Sequence, residues 1–270
     1  MRGMTSSSPE KGIRLQVALA RFGIASRRGV VSLIESGKVT VNGAVVREKG
    51  FRVKPSDKVQ LDGREQLPTD PPQEKRTFAF NKPKGVMTTL QDPHAESTVG
   101  DFFRDLSERL FPVGRLDRDT TGLLLMTNDG ELAFRLTHPR FGVEKRYYAR
   151  VEGIVTDEEV RRLEKGVRLE DGMTAPCKIQ IEKTTPRETT LTIILHEGKK
   201  RQIRRIFDKM GHWVTELERR SYGPVTLGDL RPGQKRELST EEVRALREAT
   251  GLERKNGPTG LRGRQGHRRS

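Results

Sequence analysis

Residues 113–130 read VGRLDRDTTGLLLMTNDG, and two aspartates stand there at a spacing that can do chemistry. Asp117 and Asp119 alternate with Arg115 and Arg118, beside two threonines and a glycine, and four apolar residues, Leu123 to Met126, follow. The apolar run reads as a buried strand, so the carboxylates sit at its mouth. Either they brace a salt-bridged turn, or one of them is a reactive group. A carboxylate at a partly buried strand end is costly to ionise unless a cation or hydrogen-bond donors hold it.

A cation source lies further along. In GKKRQIRRIFDKMG, residues 198–211, Ile203, Ile206, Phe207 and Met210 repeat at helical spacing, and Arg201, Arg204 and Arg205 take the other face. The strand-like TLTIILHEG feeds directly into this helix, so its arginines stand at a strand-to-helix junction. An ordinary surface helix explains the periodicity equally well. The need of Asp117 for a partner favours a site. KRYYARV, residues 145–151, adds two aromatics on a strand, where alternation sends Tyr147 and Tyr148 to opposite faces. One enters the core and the other can line a cleft and stack on a base. Alternation does not say which. FNKPKG, residues 80–85, fits a tight turn that displays Lys82 and Lys84 for phosphate contact.

These residues need elements to place them. TFAF, GLLLMT, RYYARV, CKIQIE and TLTIIL are candidate strands, and helices are expected over 157–165 and 240–249. Each helix opens on a capping box, Thr156 with Glu159 and Ser239 with Glu242. Upstream, residues 13–64 form a separate small unit. Leu15, Ala18, Leu19 and Phe22 mark one helix ending near Gly23, Ser26 caps a second running to Gly37, and VTVNGAVV is a hairpin turning at Asn42-Gly43. KVQL supplies a further strand ending at Asp62-Gly63. From Lys11 to Arg64 there are twelve Lys or Arg against four Asp or Glu. Arg14, Arg21, Arg27, Arg28 and Lys38 come from its helical part, and the start of the second helix offers amides to phosphate. EQLPTDPPQEKRT, residues 65–77, reads as a semi-rigid linker, and 253–270, with six Lys or Arg and one Glu, as a basic tail disordered until it meets a polyanion.

Composition narrows the partners. A net charge of +15 concentrates polyanions, and nucleic acid is the commonest of them. One cysteine, Cys177, excludes an internal disulfide, and the five histidines show no metal-ligand spacing, so no metal is expected. Residues 1–12 have no apolar signal core, and no apolar run is long enough to span a bilayer, so a cytoplasmic protein is expected. G-x-x-x-x-G-K-[ST] and G-x-G-x-x-G are both missing, which argues against an NTPase or a dinucleotide enzyme.

With these pieces together the chain resembles the bacterial ribosomal RNA pseudouridine synthases of the RsuA/RluB branch. The resemblance rests on the S4-like module at 13–64, NKPKG at 81–85, GRLDRDTTGLLLMTNDGELA at 114–133 and LHEGKKRQIRRIFDKMGH at 195–212. The ending SYGPVTLGDLRPGQKRELS fits as well, so the likeness covers residues 13–250. It implies an α+β protein: an αα-β RNA-binding module, then a catalytic domain at 78–252 with a mixed, mainly antiparallel sheet, flanking helices and a central cleft. It also implies isomerisation of uridine to pseudouridine without a cofactor. Asp117 becomes the catalytic residue, supported by Arg115, by Tyr147 and by Arg204 as ion-pair partner. Arg14, Arg21, Ser26, Arg27, Arg28, Lys38, Lys82, Lys84, Arg201 and Arg205 become RNA contacts. The expected partner is ribosomal RNA, free or in a pre-ribosomal particle, with large-subunit RNA favoured over small-subunit RNA, and the protein is expected to act as a monomer away from membranes. A non-catalytic S4-type assembly protein would explain the charge but not the second domain, and a base-removing glycosylase would also use one aspartate and a flipped base.

Overall fold

The structure is a computed structural model that describes residues 12–21, 27–54, 56–65 and 74–253. Two compact units divide the chain between Glu74 and Lys75.

In the first unit, β1 (Ile13–Arg14) pairs antiparallel with β4 (Arg52–Val53), and α1 (Leu15–Arg21) and α2 (Arg27–Glu35) follow β1. A four-stranded antiparallel sheet then runs in the order β3 (Ala44–Val45), β2 (Val39–Val41), β5 (Val59–Leu61), β6 (Arg64–Glu65). The hairpin at Asn42-Gly43 forms as its residue types require, both with positive φ (52° and 83°), and Asp62-Gly63 repeats the device between β5 and β6. Leu15, Leu19, Val30, Ile34, Val39, Val41, Val53 and Val59 form a core belonging to this unit. Phe22, Gly23 and the expected cap Ser26 lie outside the described residues, as do residues 66–73 of the expected linker and the tail beyond Glu253.

The second unit is built on a nine-stranded mixed sheet. Its path is β13 (Lys178–Thr184), β14 (Glu188–Leu195), β10 (Lys145–Glu152), β15 (Val214–Tyr222), β9 (Thr121–Thr127), β7 (Thr77–Lys82), β17 (Lys235–Glu237). Two short strands attach to it, β8 (Phe111–Pro112) to β9 and β16 (Val225–Thr226) to β15. Every pairing is antiparallel except β15 with β9, which is parallel and joins only Glu218 to Thr121 and Arg219 to Gly122. A separate two-stranded ribbon pairs β11 (Arg168–Leu169) with β12 (Gly172–Met173).

Burial explains the sequence patterns. On β9, Leu124 and Met126 join one core with Phe78 and Phe80, while Leu123 and Leu125 join a second core with Ala79. A strand buried on both faces needs an unbroken apolar run, and LLLM is that run. On β14, Thr189, Leu191, Ile193 and Leu195 are buried and the intervening residues only partly so, which gives the alternation of TLTIIL. The first core is closed by α4 (Asp157–Glu164) through Leu163 and by α5 (Gln202–Asp208) through Ile203, Ile206 and Phe207. The second is closed by α3 (Gly130–Thr137) and α6 (Thr240–Ala249) through Leu132, Leu136 and Leu246. Both expected capping boxes are present. The helix expected over 198–211 is shorter, because Arg201 takes a left-handed conformation (φ 51°) and is its cap. Among the described residues no helix is long and apolar enough to cross a membrane.

Candidate active site

The loop from Val113 to Thr120 carries Asp117, and it is fastened at Val113 and from Leu116 to Thr120. Val113 is buried in one core and Leu116 in the other. The Val113 N–H donates to Leu125 (2.8 Å), and the Leu116 N–H and carbonyl both engage the Thr88 hydroxyl (3.2 and 2.6 Å). The Thr120 N–H donates to the Asp117 carbonyl at 3.1 Å and closes a turn over 117–120. Asp117 is half-buried, whereas Arg115, Arg118 and Asp119 are exposed.

The NKPKG turn forms one wall, but not as the turn residues suggest. Lys84 is exposed and lines a cavity of about 350 Å³ with Asp119, Thr121, Arg150, Thr215, Glu216 and Leu217. Lys82, expected at the surface as a phosphate contact, is fully buried. Its Nζ donates to the carbonyls of Val86 (2.8 Å), Pro83 (2.9 Å) and Arg118 (3.3 Å). The strand β7 ends at this residue, so the side chain runs under the turn rather than out of it. Burial pushes the Lys82 ammonium down to about 8, against the opposing pull of Asp119 and Asp117. The Arg118 carbonyl also accepts from the Gly85 N–H (2.9 Å), and the Arg118 side chain donates to the Gly85 carbonyl (3.2 Å) and Glu96 (3.0 Å).

On the other side stands α5. Arg204 reaches the loop, as the apolar stripe of its helix requires, but it holds main chain. Nη2 donates to the Asp119 carbonyl (3.2 Å) and Nη1 to the Val214 carbonyl (2.7 Å). The expected ion pair with Asp117 is not formed: among the described residues no cation lies within 4.0 Å of that carboxylate. Burial and neighbouring Arg201 lower the pKa of Arg204, while Asp119 and Asp117 pull it up, so the field of both aspartates reaches the guanidinium. Arg205 turns away and forms a bidentate pair with Asp171 (2.9 and 3.0 Å). That occupies the guanidinium expected to meet RNA.

The tyrosines separate as alternation demands. Tyr147 is buried in the core that also holds Leu116, the chain neighbour of Asp117, and Ile203, the chain neighbour of Arg204. In register it lies beside Arg219 on β15, which lies beside Gly122 on β9, so three strands bring Tyr147 level with the start of β9. Tyr148 is half-exposed, with Arg220 over its ring (4.3 Å) and Arg150 on its hydroxyl (3.3 Å).

Two buried cations were not anticipated from the sequence. Arg219 is 2% exposed, donates Nε to the Leu123 carbonyl (2.7 Å) and packs over the Tyr222 ring, while Lys145 packs over the same ring at 5.1 Å. Burial and Arg219 push Lys145 down to about 8, opposed by Glu197. No spacing rule flags either residue, since each is a charge inside a strand. In the first unit, Arg14 and Lys38 are exposed, Lys38 near Asp62 (3.9 Å). Ser26 and the side chains of Arg21, Arg27 and Arg28 lie outside the described residues. Among the described residues no group of three or more His, Cys, Asp or Glu is placed to hold a metal ion.

Beyond the site itself, the chain is similar to known proteins in sequence and in fold. The model of the RNA pseudouridylate synthase family matches residues 76–209, and that of the S4 domain residues 13–59. The chain is 43% identical to ribosomal large subunit pseudouridine synthase B of Bacillus subtilis, over 87% of this chain and 95% of that protein. It is 43% identical to an RNA pseudouridine synthase of Aquifex aeolicus, over 89% and 96%. A solved pseudouridylate synthase structure superposes with a TM-score of 0.62 at 29% identity, covering 87% of this chain and 99% of that one. This chain therefore belongs to the RNA pseudouridylate synthase family, as an enzyme that carries an S4 domain ahead of its catalytic unit.

Proposed function

We propose that the enzyme isomerises uridine to pseudouridine in ribosomal RNA, at a position in the large-subunit RNA, with Asp117 as the reacting group. The observation that carries this reading is the fastening of the Asp117 loop from three directions by Thr88, Lys82 and Arg204. A turn that merely joins two strands has no need of a buried ammonium and a half-buried guanidinium. The likeness to the large-subunit enzyme of Bacillus subtilis supports the choice of RNA.

The chemistry asks little beyond such a group. The N1–C1′ bond of the nucleoside breaks, a C5–C1′ bond forms, and the proton on C5 is finally exchanged for one on N1, so no co-reactant is consumed. An ionised carboxylate opens the sequence by attacking C1′ or by taking a sugar proton. The target base must leave its stack first, at a cost of a few kcal/mol that new contacts offset. Tyr147, although buried, shares its core with Leu116 beside Asp117 and is assigned to meet that base at the edge of this core, and Arg204 to hold the loop and keep a positive field on Asp117. Arg115 stands exposed two residues before Asp117 for phosphate. Lys84 and Arg201 join it, and the basic 13–64 module, with Arg14 and Lys38, grips RNA elsewhere. The assigned layout is S4 module at 13–64, linker at 65–77, catalytic domain at 78–252 and basic tail at 253–270, acting as a monomer.

Asp117→Asn tests the assignment. Pseudouridine scored by carbodiimide labelling should fall by at least about 10²–10⁴-fold, while RNA binding by gel shift stays within twofold. Product at the normal rate would remove Asp117 from the chemistry. An abasic site instead of pseudouridine would replace the isomerase by a glycosylase. Mapping pseudouridines in cells with and without the gene decides between large-subunit and small-subunit RNA.

A further inference from the structure

Behind the loop staple lies a second recess. Arg201, Arg204, Arg205, Asp208, Trp213 and Val214 line a depression of about 140 Å³ between α5 and the start of β15. That is below the roughly 300 Å³ of an ordinary small-molecule pocket, and suits one flat ring rather than a whole ligand. Trp213 is the only tryptophan in the chain, yet it is 59% exposed. An indole in that state leaves a large apolar face in water. It is not on a loose tip, because its carbonyl accepts the Glu152 N–H at 2.9 Å and Val214 beyond it is buried. The basic residues of the recess are not equivalent. Arg204 is committed to two carbonyls and Arg205 to Asp171, whereas Arg201 has no side-chain hydrogen bond or ion pair among the described residues. Arg201 also holds φ 51°, a conformation side chains disfavour, so local structure imposes its placement.

We propose that this recess binds one unstacked nucleotide of the RNA other than the target uridine. Its base lies on the exposed face of Trp213 and its phosphate meets Arg201. Asp208 accepts hydrogen bonds only, so it turns a base N–H edge toward itself and keeps the phosphate on the Arg201 side. An aromatic face beside guanidinium groups is what single-stranded RNA recognises, and with Arg205 offset by Asp171, Arg201 and Arg204 against Asp208 still leave a positive balance that favours an anionic occupant. The recess shares Arg204 with the Asp117 loop, which makes the occupant a neighbour of the target and the recess a determinant of sequence context. The inference rests on reading the enzyme as acting on RNA.

Because Trp213 is the sole tryptophan, its emission reports the contact. Titration of the full-length protein with single-stranded oligoribonucleotides should give saturable quenching. Trp213→Ala should weaken binding of labelled RNA, read by anisotropy, by about 5- to 100-fold, and Trp213→Phe should restore most of it. In pseudouridine formation the Trp213→Ala loss should fall on KM rather than kcat. Arg201→Ala should reduce the slope of log Kd against log salt by about one. RNA that binds without altering Trp213 emission, or Trp213→Ala protein that binds as tightly as wild type, overturns the proposal. Emission that changes with protein concentration alone would assign this face to a second copy and overturn it equally. Quenching by RNA in a protein that forms no pseudouridine would remove the proposed activity and leave this site, whereas normal turnover with an unchanged KM in Trp213→Ala would do the reverse.

Discussion

Lys82 shows how much one buried charge does for the loop that carries Asp117. Its ammonium satisfies three carbonyls from two segments that meet only in space, the turn at 83–86 and the loop at 118. Lys82→Met keeps the length of the side chain but leaves those acceptors without their donor. At about 1–3 kcal/mol for an unsatisfied buried group, urea denaturation should show a loss of about 2–4 kcal/mol, and turnover should fall as the Asp117 loop loosens. The pH dependence has a definite sign. The folded value near 8 lies below the ordinary 10.5, so between those values the unfolded chain binds more protons and this lysine's contribution to stability rises with pH. Below pH 8 its burial penalty is fully in force. The stability of wild type minus that of Lys82→Met should therefore grow from pH 8 to 10.5. Lys145 titrates in the same window in both proteins and cancels. A flat difference would place Lys82 at its ordinary value.

At the scale of elements, the join between β9 and β15 is the narrow point of the sheet. Gly122 has φ 95°, and a Cβ there would fall inside contact distance of the Arg219 carbonyl and amide. Gly122→Ala should thus cost more than about 2 kcal/mol in chemical denaturation, since it combines a disfavoured backbone with a clash against main chain. Unchanged stability would mean that the two strands can separate there without penalty. The same region separates what sequence patterns reveal from what they hide. β7, β9, β10, β13 and β14 are legible because each shows either an unbroken apolar run or clean alternation. β15, the longest strand, is not, because VTELERRSY carries four charges and a register shift between Tyr147 and Arg146 upsets its alternation against β10. Asp117 is legible from residue type and neighbours, and Arg204 from helical phase. Their contacts are not, since a guanidinium can serve a carboxylate or a carbonyl equally well and only the fold decides. Turn chemistry alone puts Lys82 at a tip, because nothing local records that the loop 113–120 closes over it.

At the scale of the whole molecule, the two units own separate cores, Leu15 to Val59 in one and Phe78 to Leu246 in the other. A protein starting at Lys75 should therefore unfold cooperatively with an intact far-ultraviolet spectrum. It should retain pseudouridine formation on a short RNA, but bind long RNA more weakly and with a shallower salt dependence, because a unit with twelve Lys or Arg from Lys11 to Arg64 is gone. An unchanged salt slope would deny the first unit any phosphate contact. One feature of the sheet also sets a schedule for making the protein. β7 pairs on one side with β9, soon after it in the chain, but on the other side with β17, through Phe80 and Lys235. At about 5–20 residues per second, translation needs on the order of ten seconds or more between the two. Throughout that interval the nascent chain presents one edge of β7, a strand whose six residues are all buried in the finished fold, unpaired as a template for other extended segments. The last described strand to leave the ribosome, β17, is thus the one that covers this edge.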